Sequence, residues 1–113
     1  AAAGEDLHLP AGQHLLVDLQ RVSPAFLASP PRLASALVAL AAATRLTLLS
    51  YHCHTLAPGD AGGVSCIGVL LESHVAFHTF PEAGTVSLDL FTCGGDGGRT
   101  LLAALPTVKR LFG

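Results

Sequence analysis

A chain of 113 residues has the length of one domain, and half of its residues are hydrophobic while only 12% are charged. The apolar share is ample for a core, and it favours a buried interface with a second copy of the chain. The formal net charge of −2, with six scattered Lys and Arg residues, argues against nucleic-acid and membrane partners, because both demand clustered positive charge.

The sequence shows neither a targeting signal nor a metal motif. No apolar run reaches the ~20 residues that cross a bilayer, and the N-terminal segment lacks the basic start and apolar stretch of a signal peptide. Cys53, Cys66 and Cys93 match no CxxC spacing, so we expect free thiols in a reducing cytoplasm. His52 and His54 share one side of a strand, and because two histidines are not a closed site, we predict no metal.

The first half of the chain predicts a strand, a helix and a second strand. Apolar and polar side chains alternate over residues 14–20, which is typical of a half-buried strand. Ser29 is placed to cap a helix that has two prolines in its first turn and ends near Thr44. Residues 45–53 predict a second strand, and residues 55–63 have the Gly and Pro content of a loop.

The second half of the chain predicts three strands and a short helix. Two strands, at about 64–71 and 74–80, lie on either side of a polar Glu-Ser pair. Residues 85–93 alternate, with a polar and aromatic row that ends in Cys93 on one face. A glycine-rich break then precedes a helix over about 99–104. This order predicts one α+β domain, a two-layer sandwich in which two helices pack on one face of an antiparallel sheet.

Glu72-Ser73-His74 interrupts an apolar segment with polar residues that a scaffold strand does not need. A serine hydroxyl can attack the carbonyl of the preceding peptide bond when a base takes its proton. Elimination from the resulting ester, followed by hydrolysis, leaves a new chain that starts with a pyruvoyl group. Histidine suits such proton transfers. The triplet therefore suggests a site of self-cleavage.

The stretch GVSCIGVLLESHVAFHTFPEAGTVSLDLFTCG, residues 63–94, resembles the core of the prokaryotic S-adenosylmethionine decarboxylases. The matching elements are GVS, ESH, HT-aromatic-PE and DLFTCG, and GQHLLVDL at 12–19 is similar to the family's first strand. The resemblance implies a proenzyme that becomes a pyruvoyl-dependent decarboxylase of S-adenosylmethionine in spermidine biosynthesis. It also implies self-cleavage by serinolysis at Glu72-Ser73 into chains 1–72 and 73–113, and a homodimer with shared sites.

The resemblance assigns chemistry to four residues. Ser73 would become the pyruvoyl group, which forms a Schiff base with the substrate amine and accepts electrons as CO2 leaves. Ser65 matches a serine that assists processing, and His78 matches the histidine needed for the elimination step. Cys93 matches the proton donor to the substrate carbon. In an unbroken strand, Ser73 and His78 would point to opposite faces, so the chain at Ser73 must re-aim one of them.

Three further positions match substrate-binding residues of the family. Glu82 matches an acid that binds the ribose hydroxyls, and Phe80 lies where an aromatic residue packs against adenine. His54 is the residue nearest to the position at which the family has a second aromatic residue against adenine. Because a histidine stands there instead, the substrate is left open between S-adenosylmethionine and arginine or ornithine. A catalytically silent paralogue that regulates an active partner is the other alternative, and cleavage of the chain distinguishes the two.

Overall fold

Five strands and three helices make up the part of the chain that the computed structural model describes, residues 12–56, 62–92 and 99–113. In chain order they are β1 (Gln13–Leu19), α1 (Pro24–Leu27), α2 (Pro30–Ala43), β2 (Leu48–Thr55), β3 (Val64–Leu70), β4 (Ser73–Phe80), β5 (Thr85–Thr92) and α3 (Arg99–Phe112).

The strands form one sheet in the order β1-β5-β4-β3-β2, and every neighbouring pair is antiparallel. Short connections join β3 to β4 and β4 to β5, as hairpins require. The buried side chains of the strands alternate with exposed ones, so one sheet face carries the helices and the other is open. The predicted α+β sandwich is confirmed.

The core lies between the helices and the covered face of the sheet. Leu33, Leu37 and Leu40 of α2 are almost fully buried, as the helical spacing predicts. Each such leucine contributes roughly 1.5–3 kcal/mol by burial. Gly68 of β3 leaves room for α2, because a methyl group there would lie 3.2 Å from Leu37 Cδ2 and 3.0 Å from Val75 Cγ1.

The helices differ from the sequence prediction in two ways, with one additional helix and one longer helix. The short helix α1 was missed, although Ser23 caps it and proline starts it, the same signal that marks α2. Helix α3 continues past Pro106 to Phe112 instead of ending near residue 104. Val108 and Phe112 are buried beyond the proline, and their burial offsets the hydrogen bond lost there.

Strand β2 begins three residues later than predicted because the residues before it are hydrogen-bonded to the last turn of α2. Arg45 adopts a positive φ of 60°, and Leu46 N–H donates to the Ala41 carbonyl at 2.9 Å. This arrangement satisfies a carbonyl of the last helical turn, as a left-handed residue after a helix commonly does.

Cys53 and Cys66 form a disulfide between β2 and β3, so the prediction of free thiols was wrong for these two residues. The two cysteines are register partners, and their Cα atoms lie 4.1 Å apart on the helix-covered side of the sheet. Strand pairing, which the sequence spacing does not reveal, places them together. Cys93 lies outside the described residues.

The open face of the sheet is partly apolar. Leu16, Ile67, Val69 and Phe80 each expose about half of their surface or more. Several large exposed apolar side chains on one sheet face are typical of an interaction surface. Among the described helices, none combines the length and hydrophobicity that a membrane crossing requires.

Candidate active site in two halves of the sheet

The Glu72-Ser73 bond lies in the turn between β3 and β4, and the turn is tied to the chain just before β2. The Glu72 carboxylate accepts hydrogen bonds from Thr47 N–H at 3.0 Å and from the Thr47 hydroxyl at 3.4 Å. Leu71 N–H donates to the Thr47 carbonyl at 2.9 Å. The residue before the predicted cleavage point is therefore fixed by contacts outside its own hairpin.

Ser73 is the first residue of β4 and is half-buried. Its register partner is Thr92 on β5, which is buried on the covered side of the sheet. The Ser73 hydroxyl lies 3.4 Å from Nδ1 of His74, which is long for a hydrogen bond. Cys93, the predicted proton donor, follows Thr92 in the sequence but lies outside the described residues.

Beside Ser73, the open face holds a cluster of two imidazoles and a carboxylate drawn from three strands. Asp89 on β5 lies between His74 on β4 (Nε2 to Oδ1, 3.5 Å) and His14 on β1 (Nε2 to Oδ2, 3.8 Å). The Phe91 ring stacks on His74 at 5.8 Å and meets His14 edge-on at 5.5 Å. We call His14, His74 and Asp89 the cleavage-end cluster.

The cleavage-end cluster also has the chemistry of a metal-binding set. One ligand atom from each residue lies within 4.8 Å of the others, and zinc accepts both imidazole and carboxylate ligands. Three protein ligands suit a site with an open position. The sequence prediction considered a different pair, His52 and His54, whose Nε2 atoms lie 2.8 Å apart on the open face while Cys53 faces the other way.

The second half of the site lies toward the other end of β4. The Ser65 hydroxyl is 3.3 Å from Nε2 of His78, and the two residues are register partners on β3 and β4. His54 is the partner of Ser65 on β2, so these three predicted residues form one row across the open face. We call Ser65 and His78 the serine–histidine pair.

Phe80 and Glu82 lie near the serine–histidine pair and share one concavity. A cavity of about 330 Å³ is lined by both residues, together with Leu56 and the turn that joins β4 to β5. Phe80 is half-exposed and Glu82 is exposed, so an aromatic face and a carboxylate are both accessible. The structure therefore brings together the predicted adenine-contacting and ribose-binding residues.

The two halves do not meet within one chain. Ser73 and His78 belong to the same strand, five residues apart, which corresponds to about 16 Å at the rise of an extended strand. Ser73 lies on the covered face of the sheet, as its buried partner Thr92 does, whereas His78 lies on the open face. The β4 strand is regular from its first residue, so no irregularity among the described residues of β4 turns either side chain to the other face.

Three residues near the scissile bond were not assigned a role from the sequence: Thr47, His74 and Asp89. His74 belongs to the ESH motif and Asp89 to the DLFTCG motif, and strand alternation predicts Asp89 on the polar face of its strand. Their proximity depends on the register between β4 and β5, in which His74 faces Phe91. Thr47 precedes β2 and carries no local signal of contact with Glu72.

Comparisons with known proteins agree with this fold and these motifs. The family model described as S-adenosylmethionine decarboxylase matches residues 13–109. A protein of Thermodesulfovibrio yellowstonii named S-adenosylmethionine decarboxylase proenzyme is 36% identical over 83 residues, which are 74% of this chain and 59% of that protein. A Thermoplasma acidophilum protein of the same name is 33% identical over 88 residues, 78% of this chain and 65% of that protein.

The chain thus spans less than two thirds of the length of these relatives. The crystal structure of the adenosylmethionine decarboxylase from Aquifex aeolicus superposes with a TM-score of 0.77 and 26% identity, covering 89% of this chain and 79% of that one. Because the family match extends over nearly the whole sheet and its helices, this chain belongs to the S-adenosylmethionine decarboxylase family.

Proposed function

We propose that this chain is the proenzyme of a pyruvoyl-dependent S-adenosylmethionine decarboxylase of polyamine biosynthesis, cut by serinolysis between Glu72 and Ser73. The observation that carries the proposal is the Glu72-Ser73 bond in a tight turn of a family member, with its glutamate held by Thr47. The relatives are named proenzymes, which agrees with a chain that must be processed.

The surroundings of Ser73 fit a pyruvoyl group. Ser73 begins β4, so a cut before it would leave a chain end that the ladder to Thr92 still holds. Glu72 would remain bound to Thr47, so both new ends would stay in place. Once formed, a pyruvoyl group supplies the electron sink that decarboxylation requires. Cys93, which follows the partner of Ser73 in sequence, is proposed as the proton donor to the substrate carbon.

Substrate recognition is proposed for the concavity beside the serine–histidine pair. The exposed face of Phe80 would attract the adenine ring and the cationic sulfonium of S-adenosylmethionine, and Glu82 would accept hydrogen bonds from ribose hydroxyls. His54 extends the same row of the open face. Arginine and ornithine lack the adenosyl group, so they would leave Phe80 and Glu82 without these partners.

We propose that the active form is a homodimer of αβ units that closes over the open face. A two-fold axis across that face would bring the cleavage end of one chain to the serine–histidine pair of the other. Ser65 and His78 would then serve the partner's Ser73, which their own strand keeps about 16 Å away. The exposed apolar side chains of the face supply the surface such a contact would bury.

A cytoplasmic location also remains a proposal, and it now depends on the proposed reaction on an intracellular metabolite. The expectation of free thiols no longer supports a reducing compartment, because Cys53 and Cys66 form a disulfide.

The intact mass of freshly purified protein with native Ser73 tests the proposed processing. Two fragments, 1–72 and 73–113, with the second lighter by one ammonia than a chain starting in serine, are the expected result. A decarboxylation assay of the cut protein with S-adenosylmethionine, arginine and ornithine then identifies the substrate. One uncut mass after long incubation would contradict self-processing and would favour a silent, regulatory paralogue.

A further inference from the structure

We infer that His74 is the base that takes the hydroxyl proton of Ser73 in self-cleavage, and that Asp89 positions its imidazole. The inference rests on the proposed self-processing and assigns its first step. His78, which the resemblance links to the later elimination, lies five residues further along β4, about 16 Å from Ser73 at the rise of an extended strand. Within the same chain, the imidazole next to the nucleophile is that of His74, 3.4 Å from Ser73 Oγ.

The two nitrogens of His74 face two different groups. Nδ1 faces the Ser73 hydroxyl, and Nε2 lies 3.5 Å from Oδ1 of Asp89. A carboxylate on the Nε2 side favours the tautomer with its proton on Nε2, and that tautomer leaves Nδ1 as an acceptor. The same division of roles orients the histidine in serine hydrolases, where a carboxylate holds one nitrogen and the hydroxyl meets the other.

The packing of His74 and Asp89 supports this orientation. Phe91 stacks on the His74 ring with an angle of 24° between the planes, which restricts its rotation. Oδ1 of Asp89 is buried, and among the described residues it has no hydrogen-bond partner. A buried carboxylate oxygen without a donor is costly, so a small closure of the 3.5 Å gap to His74 would be favourable.

The step balances without any additional reactant. Ser73 Oγ passes its proton to His74 Nδ1 while Oγ bonds to the carbonyl carbon of Glu72. The bond between that carbon and the Ser73 nitrogen then breaks, and the imidazolium returns the proton to the nitrogen. The product is an ester between Glu72 and the Ser73 side chain with a free amino group, and no electrons are exchanged.

The test follows cleavage of the purified full chain by intact mass, with and without hydroxylamine, which cuts esters but spares ordinary peptide bonds. We expect His74→Ala to slow cleavage by about 10²-fold or more and to accumulate uncut chain that hydroxylamine does not cut. His78→Ala should instead accumulate the ester and be cut by hydroxylamine. A His74→Ala chain that is cut at the rate of the unaltered protein would overturn the inference.

His14→Ala tests whether the cleavage-end cluster acts instead by holding a metal. His14 and His74 have nearly the same side-chain exposure, 44% and 43%, and both contact Asp89 and Phe91, but the Ser73 contact belongs to His74. We expect His14→Ala to slow cleavage less than His74→Ala does. His52→Ala is the control and should cleave at the unaltered rate, because His52 is exposed on β2, contacts His54 and lies outside the cleavage-end cluster. Equal losses in His14→Ala and His74→Ala, restored by zinc, would overturn the base role and favour a metal held by the cleavage-end cluster.

Two further measurements separate a base from a merely structural residue. Added imidazole should restore cleavage of His74→Ala in proportion to its concentration, and His74→Gln, which fills the same space without a base, should remain slow. If imidazole does not speed cleavage of His74→Ala and His74→Gln is cleaved at the normal rate, the base role is overturned.

Asp89 is tested with two substitutions. Asp89→Asn keeps the shape but not the charge, so we expect it to slow cleavage by at least about tenfold, whereas Asp89→Glu should retain more of the rate. An Asp89→Asn chain that cleaves normally would overturn the positioning role. An unaltered chain that is never cut, with or without hydroxylamine, would overturn the proposed processing itself, and this inference with it.

Discussion

At Ser73, the nucleophile and the bond that it would attack lie in one turn, and the two sides of that bond are held by different parts of the fold. Glu72 is bound to Thr47 ahead of β2, and Ser73 is paired with Thr92 on β5. Both residues of the bond to be cut are thereby held in place before any chemistry occurs. Such positioning lowers the entropic part of an activation barrier.

Removing the Ser73 hydroxyl should abolish both cleavage and decarboxylation. We expect Ser73→Ala to give one uncut mass and no measurable CO2 release, because both the nucleophile and the source of the pyruvoyl group are lost. Ser50→Ala, on the exposed part of β2, is a suitable control and should cleave normally. An active Ser73→Ala protein would end the pyruvoyl proposal.

Replacing Cys93 should separate processing from turnover. We expect Cys93→Ala to be cut at about the unaltered rate, since the proposed proton donor acts only after the substrate has lost CO2. Decarboxylation should fall by about 10²-fold, the usual contribution of a positioned acid. Intact mass measures the rate of cleavage, and release of labelled CO2 measures the rate of decarboxylation. Cleavage that fails together with turnover would assign Cys93 to processing instead.

At the scale of the elements, one buried hydroxyl joins α1 to the sheet beside the serine–histidine pair. Thr79 Oγ1 donates to the Leu27 carbonyl at 2.7 Å and accepts from Val64 N–H at 2.8 Å. Thr79 follows His78 on β4 and is 1% exposed. This bridge fixes the start of β3 against β4, and so it helps to hold Ser65 opposite His78.

Thr79→Val should lower the free energy of unfolding by about 1–3 kcal/mol, because two buried backbone groups lose their partner while the shape is kept. Urea unfolding, followed by circular dichroism, measures the change in midpoint. Thr85→Val, on the open face of β5, is the matched control and should shift the midpoint little. Equal midpoints for the two variants would show that the bridge contributes nothing measurable.

For the whole molecule, the separated halves of the site predict complementation between chains. A His78→Ala chain retains Ser73, and a Ser73→Ala chain retains His78, so neither should be cut alone. Co-expression should yield the cut His78→Ala chain, because the partner's imidazole would reach its Ser73 in a shared-site dimer. Mass spectrometry distinguishes the products of the two chains.

The control pairs the His78→Ala chain with a chain that carries both substitutions, and no cut product should form. If the first mixture also remains uncut while size exclusion shows dimers, the sites are not shared in the proposed way.

The amino-acid sequence alone predicts the α+β class, the face of most strand residues, the helix that starts after Ser29 and the motifs that mark the family. These features depend on local periodicity, capping and spacing, which a short segment carries alone. The extension of α3 through Pro106 was not predictable, because burial of residues beyond the proline outweighs a local penalty.

Only the tertiary structure joined Cys53 to Cys66, gathered His14, His74 and Asp89 from three strands, and placed Ser65 opposite His78. Each of these facts depends on which strands are neighbours and in which register they pair. Local alternation decides the face on which a side chain lies, but long-range pairing decides what stands beside it.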